Sequence, residues 1–300
     1  MELLRPIRPN EASADYLYTR IRSRRSRLIA GSFDERSVSV RSRQSLRNEY
    51  HWVYIRLNRR LRNQLQPLFE YEELRTLILA LRYLAAGDRS ALLEVLNGSL
   101  LNRSLCRVLT GAPRVAVAVA ALERLLADDN PFCRGLTEAY LKQGPGGVEQ
   151  AMNGGYLHQV IGSTGPQVVM TYFRYLIDLR NLLALFKHLH WQLPLPPPLI
   201  EGGEIGLARL GRAWSGQNLN GVSELTRKLT GLDVDPFKAG IEETLCRGLE
   251  VRLRRAGRDP LQVGVLIDHL WRCRMTARHN GLEAGRSQAG EARQELEFML

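Results

Sequence analysis

One short pattern occurs twice, and its return constrains what this chain can fold into. Glu73-Leu74-Arg75-Thr76-Leu77-Ile78 comes back 105 positions later as Asp178-Leu179-Arg180-Asn181-Leu182-Leu183. Leu81-Arg82 then matches Phe186-Lys187, and Leu84 matches Leu189. Behind an acid, each copy carries apolar residues at i, i+3, i+4, i+7 and i+10, which places them on one face of an α-helix. Two helices with the same stripe and the same leading charges point to a repeated architecture.

The rest of the chain follows the same period. Leucine recurs at helical spacing, and no series of alternating β-branched strands lies between turn signals, so the expected fold class is all-α. Val115 to Val119 alternates with alanine in a strand-like manner. It continues into Leu122, Leu125 and Leu126 before Asp128-Asp129-Asn130-Pro131, which is the pattern of a buried helix and its stop. Breaks are expected at Gly111-Ala112-Pro113, Gly144-Pro145-Gly146-Gly147, Gly162 to Pro166 and Leu193 to Pro198, the last being the strongest linker. On the first long helix, Leu17, Ile21, Arg24 and Leu28 share a face, flanked by Arg20 and Arg27 on one side and Arg25 on the other, with Arg22 pointing away. Such a helix requires acidic neighbours within the chain or an anionic partner outside it.

Charge enters here. Forty-two basic residues against 31 acidic ones leave +11, and only Lys142, Lys187, Lys228 and Lys238 among the 42 are lysines. Arginine keeps its charge when half-buried and forks onto carboxylates or phosphates, which suits an acidic protein, a nucleic acid or an anionic membrane. High-GC codon usage produces the same bias, so composition alone assigns no partner. The length of 300 residues suits about two domains with a sizeable core. No apolar run approaches the ~20 residues of a membrane span, and no secretory signal is visible.

The chemical motifs are few. Neither Gly144-Pro145-Gly146-Gly147 nor Gly162-Ser163-Thr164-Gly165 leads into Gly-Lys-Ser/Thr, so no phosphate-cradling loop of the Walker type is present. No dinucleotide fingerprint follows a strand. His188 and His190 point about 200° apart on a helix and cannot share a metal ion. Cys106, Cys133, Cys246 and Cys273 form no CxxC pair, which fits free thiols in a reducing compartment better than a zinc or redox site. Trp52, Trp191, Trp214 and Trp271 read as packing anchors, with an aromatic at an edge able to join an interface. No catalytic, cofactor-binding or metal-ligating residue is assigned.

Five segments, in order, resemble the family of C-type (also called d-type) central-stalk subunits of V-type and A-type rotary ATPases and ATP synthases. These are Asp15-Tyr16-Leu17-Tyr18-Thr19-Arg20-Ile21-Arg22 followed by Ser26-Arg27-Leu28-Ile29; the helix from Glu73 to Leu84; its partner from Asp178 to Leu189; the turn Leu199-Ile200-Glu201-Gly202-Gly203-Glu204-Ile205; and Asp259-Pro260-Leu261 through Leu270-Trp271. Asn181 keeps the family's asparagine and Thr76 does not. Around Arg274-Met275-Thr276-Ala277-Arg278-His279-Asn280 the family's acid and Asn-Leu-Arg are replaced, so the contacts they make elsewhere are altered here.

The resemblance implies an all-α protein of three similar helical units, 1–107, 108–199 and 200–300, forming a funnel-like, pseudo-threefold body. Its implied role is non-catalytic: a central-stalk adapter of a rotary ATPase that joins the shaft subunits to the membrane proteolipid ring and passes torque between them. It would then be cytoplasmic, peripheral to the membrane, without a cofactor, direct nucleotide binding or nucleic acid, and monomeric within a larger complex. Candidate interface residues are Arg20, Arg22, Arg75 and Arg180. Two other readings remain open at this point. The arginine excess fits a helical nucleic-acid binder, whose affinity falls steeply with salt, and the repeat alone fits an unrelated helical scaffold.

Overall fold

A computed structural model describes residues 2–10, 13–29, 38–235, 240–256 and 263–287. Among them are twelve α-helices and one 3-10 turn: α1 (Ala14–Ile29), α2 (Val38–Tyr54), α3 (Arg59–Ala86), α4 (Arg89–Leu96), α5 (Arg103–Gly111), α6 (Val115–Leu126), the turn Pro131–Cys133, α7 (Leu136–Gly162), α8 (Gln167–His190), α9 (Leu207–Ser215), α10 (Leu219–Thr230), α11 (Ile241–Ala256) and α12 (Val263–Ser287). The all-α class is as expected. None of the described helices is long and apolar enough to cross a membrane.

Polar residues set the helix starts. Asn58, Asp88, Asn102 and Asn218 each accept a hydrogen bond from a backbone N–H in the first turn of α3, α4, α5 and α10, which satisfies donors that the helix itself leaves open. Gly87 and Gly231 end α3 and α10 at φ of +74° and +75°, a conformation that costs a Cβ-bearing residue about 1–2 kcal/mol. Breaks fall after Gly111, after Gly162 and through Leu193–Pro198 as expected. At Gly144 the helix only kinks: one residue leaves helical geometry (φ 63°, ψ −152°) and α7 resumes through Pro145.

The residues divide into two compact units, 2–156 with 269–287, and 157–268. The expected boundary after residue 107 falls inside α5, and the one after 199 falls in a Pro-rich stretch of the second unit. In the first unit, Tyr50 and Tyr54 of α2 pack on Phe69 of α3 at ring separations of 5.9 and 5.0 Å. Leu3 and Leu4 are buried, and Leu4 forms an antiparallel bridge with Leu101. The C-terminal part of α12 closes this unit: buried Arg274 pairs with Glu72 of α3, and His269 Nε2 lies 2.9 Å from Glu49 Oε1 of α2. Glu49 also holds Arg24, whose guanidinium and that of Arg56 lie 4.2 and 4.5 Å from the Trp52 ring. The arginine on the apolar face of α1 thus finds an acid inside the chain. The side chains of Arg25, Arg27 and Leu28 lie outside the described residues, as does Asp259-Pro260-Leu261.

In the second unit, α8 runs through the core with α10 and α11 against it. Tyr175 donates to Leu245 O at 2.7 Å, and Gly248 gives its hydroxyl room, since a Cβ there would overlap both Tyr175 Oη and Thr230. Arg252 covers the Tyr175 ring and bonds Leu229 O and Glu204.

The repeat reaches beyond the two matched helices. α9, α10 and α11 begin 104, 104 and 105 positions after α5, α6 and α7, and α8 ends 104 positions after α3. Between α3 and α7 only the helix α4 has no counterpart: Pro194, Pro196, Pro197 and Pro198 occupy that stretch, and proline removes amide donors while clashing with a preceding turn.

Candidate functional site

Each of the repeated helices aims its leading acid at the backbone of a glycine-containing turn. Glu73 of α3 is buried and its Oε1 accepts from Leu100 N at 2.8 Å. Asp178 of α8 is fully enclosed; Oδ2 accepts from Glu204 N at 2.7 Å and Oδ1 from Ile205 N at 3.0 Å. Leu100 and Ile205 are themselves 105 positions apart, as are Gly98 and Gly203 in the two turns. The match in sequence is therefore a match in hydrogen bonding.

The glycines are needed for different reasons. Gly98 has φ of +80°, which favours glycine. Gly203 leaves space, because a Cβ there would overlap the Asp178 carboxylate. Asn181 adds a clasp that α3 lacks: its amide donates to Ile200 O at 2.7 Å and its oxygen accepts from Ile200 N at 2.8 Å. Thr76, at the equivalent place, turns its hydroxyl back onto Glu72 O within α3.

Burial raises both carboxyls. Glu73 is pushed up to about 7, with the Leu100 hydrogen bond and the charges of Arg47 and Arg5 only partly opposing desolvation. Asp178 is raised to about 6 by burial against its two backbone hydrogen bonds. Glu49 behaves oppositely. Burial would raise it, but hydrogen bonds from His269 and Arg24 outweigh that and hold it at about 2. These three carboxyls brace turns and helix pairs.

The four candidate arginines are placed differently. Arg20 and Arg22 are exposed on α1, Arg180 is half-buried, and Arg75 is enclosed in the first unit at 6% exposure. Of the four, Arg20 and Arg22 are the solvent-exposed ones. Compared with models of known protein families and with curated protein sequences, the chain matches none.

Among the described residues no cluster of His, Cys, Asp or Glu is arranged to hold a metal ion, and the four cysteines are free thiols. His188 stands edge-on to Trp214 at 6.2 Å. Of the tryptophans, Trp271 is buried as an anchor, whereas Trp191 is 58% exposed and opens an apolar strip with Leu193 and Leu195, the latter 72% exposed. Reasoning from sequence singled out the arginines of the repeat and passed over its acids. The available signal was an acid at the head of each stripe with a glycine 25 positions on.

Proposed function

We propose that the chain is a non-catalytic central-stalk adapter of a V/A-type rotary ATPase, linking the shaft to the proteolipid ring and transmitting torque for ion transport coupled to ATP hydrolysis or synthesis. One observation carries this reading. The helix Asp178–Leu189 and the turn Leu199–Ile205, two separate segments of the resemblance to the rotary-ATPase stalk family, form a single clasp in which Asp178 and Asn181 hold four backbone groups of the turn. Residues far apart in sequence that resemble a family and also depend on each other physically are stronger support than either segment alone.

The three-unit, funnel-like arrangement, the position on the cytoplasmic side of the membrane and the ring and shaft as partners are parts of this proposal. An adapter must be stiff and must meet its partners over broad surfaces. Dense helical packing resists compression, and buried carboxyls that tie turns to long helices add fixed points. Arg20, Arg22 and the exposed strip Trp191, Leu193 and Leu195 offer charge to guide assembly and apolar area to fix it.

The test is purification of the tagged chain from its host in mild detergent with nuclease treatment, followed by mass spectrometry of the bound chains. Recovery of proteolipid and shaft subunits is expected, and reproducible recovery without them overturns the reading. Reversing the charge of Arg20 and Arg22 together should weaken ring binding and reduce its salt dependence. Unchanged assembly removes those two from the interface.

A further inference from the structure

The second unit contains an open cleft of about 720 Å³ between α9 and α10 whose walls carry four cations. Arg209 and Arg212 come from α9, Arg227 and Lys228 from α10, and Glu224 is the only acid in the lining. All four cations are exposed. Among the described residues Arg209, Arg212 and Lys228 have no ion-pair partner, and Arg227 reaches only Asp233, at 3.9 Å with both side chains largely in water. Asn218, which caps the N-terminus of α10, completes the polar lining.

Like charges this close repel one another, so a fold gains nothing from gathering them without a counter-charge. The repeat also shows that the architecture does not require a cation at Arg227, although Lys228 keeps a basic counterpart in Arg124. Where α10 carries Arg227, α6 carries Glu123 104 positions earlier, and that carboxylate accepts hydrogen bonds from Gly135 N and both the amide and hydroxyl of Thr137. The same helix position therefore serves with either sign of charge. In the second copy the charge is positive and faces a cavity.

We propose that this cleft is a binding site for a ligand bearing two or more phosphate groups. Two of the cations come from each helix, and four positive charges suit a ligand with more than one phosphate better than a single phosphate. Arginine forks match phosphate oxygens, and the volume lies in the range of small-molecule sites. Free polyphosphorylated metabolites and phosphorylated lipid headgroups share this chemistry. The site is independent of the adapter reading, since it rests on the cleft alone.

The experiment uses the full chain at about 0.15 M salt, where weak surface attraction is screened. Calorimetric titrations with inorganic pyrophosphate, inositol hexakisphosphate and an oligonucleotide are run beside flotation with phosphatidylcholine vesicles, with and without a phosphoinositide. Arg212→Glu with Lys228→Glu is the cleft variant, Arg209→Gln with Arg227→Gln is a milder second, and Arg59→Glu with Arg60→Glu, exposed at the start of α3, is the control for net charge. Saturable binding of a soluble polyphosphate that drops by about tenfold or more in both cleft variants and is unchanged in the control assigns a free metabolite. Phosphoinositide-dependent flotation with the same pattern assigns a headgroup. No binding to either source, binding that survives both cleft variants, or binding of the oligonucleotide that all three variants weaken equally overturns the site.

Discussion

The turn held by Glu73 and the turn held by Asp178 solve one problem in two ways. Glu73 is the longer side chain; one oxygen accepts from Leu100 N while Oε2 is buried without a hydrogen-bond partner. Asp178 is shorter, uses both oxygens and is joined by Asn181. A fully engaged carboxylate is held charged more easily than a half-engaged one, but at both positions burial outweighs the hydrogen bonds and raises the carboxyl. The second turn is the better satisfied of the two and depends more on its acid.

The sharpest way to break the comparison is Asp178→Ala. At about pH 4 it should cost about 3 kcal/mol in urea unfolding, because two backbone N–H groups lose their acceptor. At about pH 8 the loss should be smaller, since the variant no longer buries a carboxylate. An equal loss at both pH values refutes the raised carboxyl. Next comes the pH dependence of the parent chain. Both groups keep their proton in the folded state beyond the pH at which the unfolded chain releases it, so the stability they contribute is full at low pH and falls as pH rises, opposite in sign to Glu49, whose contribution is lost as pH falls from 4.5 to about 2. The window for Glu73 runs from 4.5 to about 7, and that for Asp178 from 3.8 to about 6. Glu73→Gln should remove the upper part of that decline, a contribution of up to about 3 kcal/mol at 1.36 kcal/mol per pH unit; an unaltered profile in the variant would show that Glu73 titrates normally.

Gly203→Ala should cost about 2 kcal/mol through overlap with Asp178, against about 1 kcal/mol for Gly98→Ala from its positive φ. Reversal of that order by thermal unfolding would mean the two turns are not built as described. The smallest effect is at the third pair. Asn181→Ala should lose about 1.5 kcal/mol with its two bonds to Ile200, while Thr76→Ala should stay within about 0.5 kcal/mol.

The sequence made the helices and most of their ends legible, because leucine spacing and glycine or proline breaks act locally. Val115–Leu126 is a helix despite its alternating start, since its stripe continues to Leu126. Gly144 was the harder position: glycine followed by proline signals a break, but one residue absorbs the bend and the flanking residues stay helical. The clasp was legible only in pieces. Asp178 and Gly203 stand 25 positions apart, and nothing local says that one needs the space the other leaves. The exposure of Arg20 and the enclosure of Arg75 depend on packing against distant segments, which a helical period does not report. The basic cleft was the least legible feature, as Arg209, Arg212, Arg227 and Lys228 read along the chain as ordinary surface charges.

The return of α12 to the first unit sets an order of events during synthesis. Residues 157–268 form a compact unit in one uninterrupted run, so that unit has all its parts as soon as they leave the ribosome. The first unit does not. Glu49 and Glu72 emerge early, and their partners His269 and Arg274 follow 220 and 202 residues later. Until then two carboxylates destined for a buried setting stay hydrated, and the apolar surface that α12 covers is open to other chains. Of the two units, the one that starts to emerge first is thus the last to be completed, and its vulnerable interval spans the synthesis of the 202 to 220 residues between those partners.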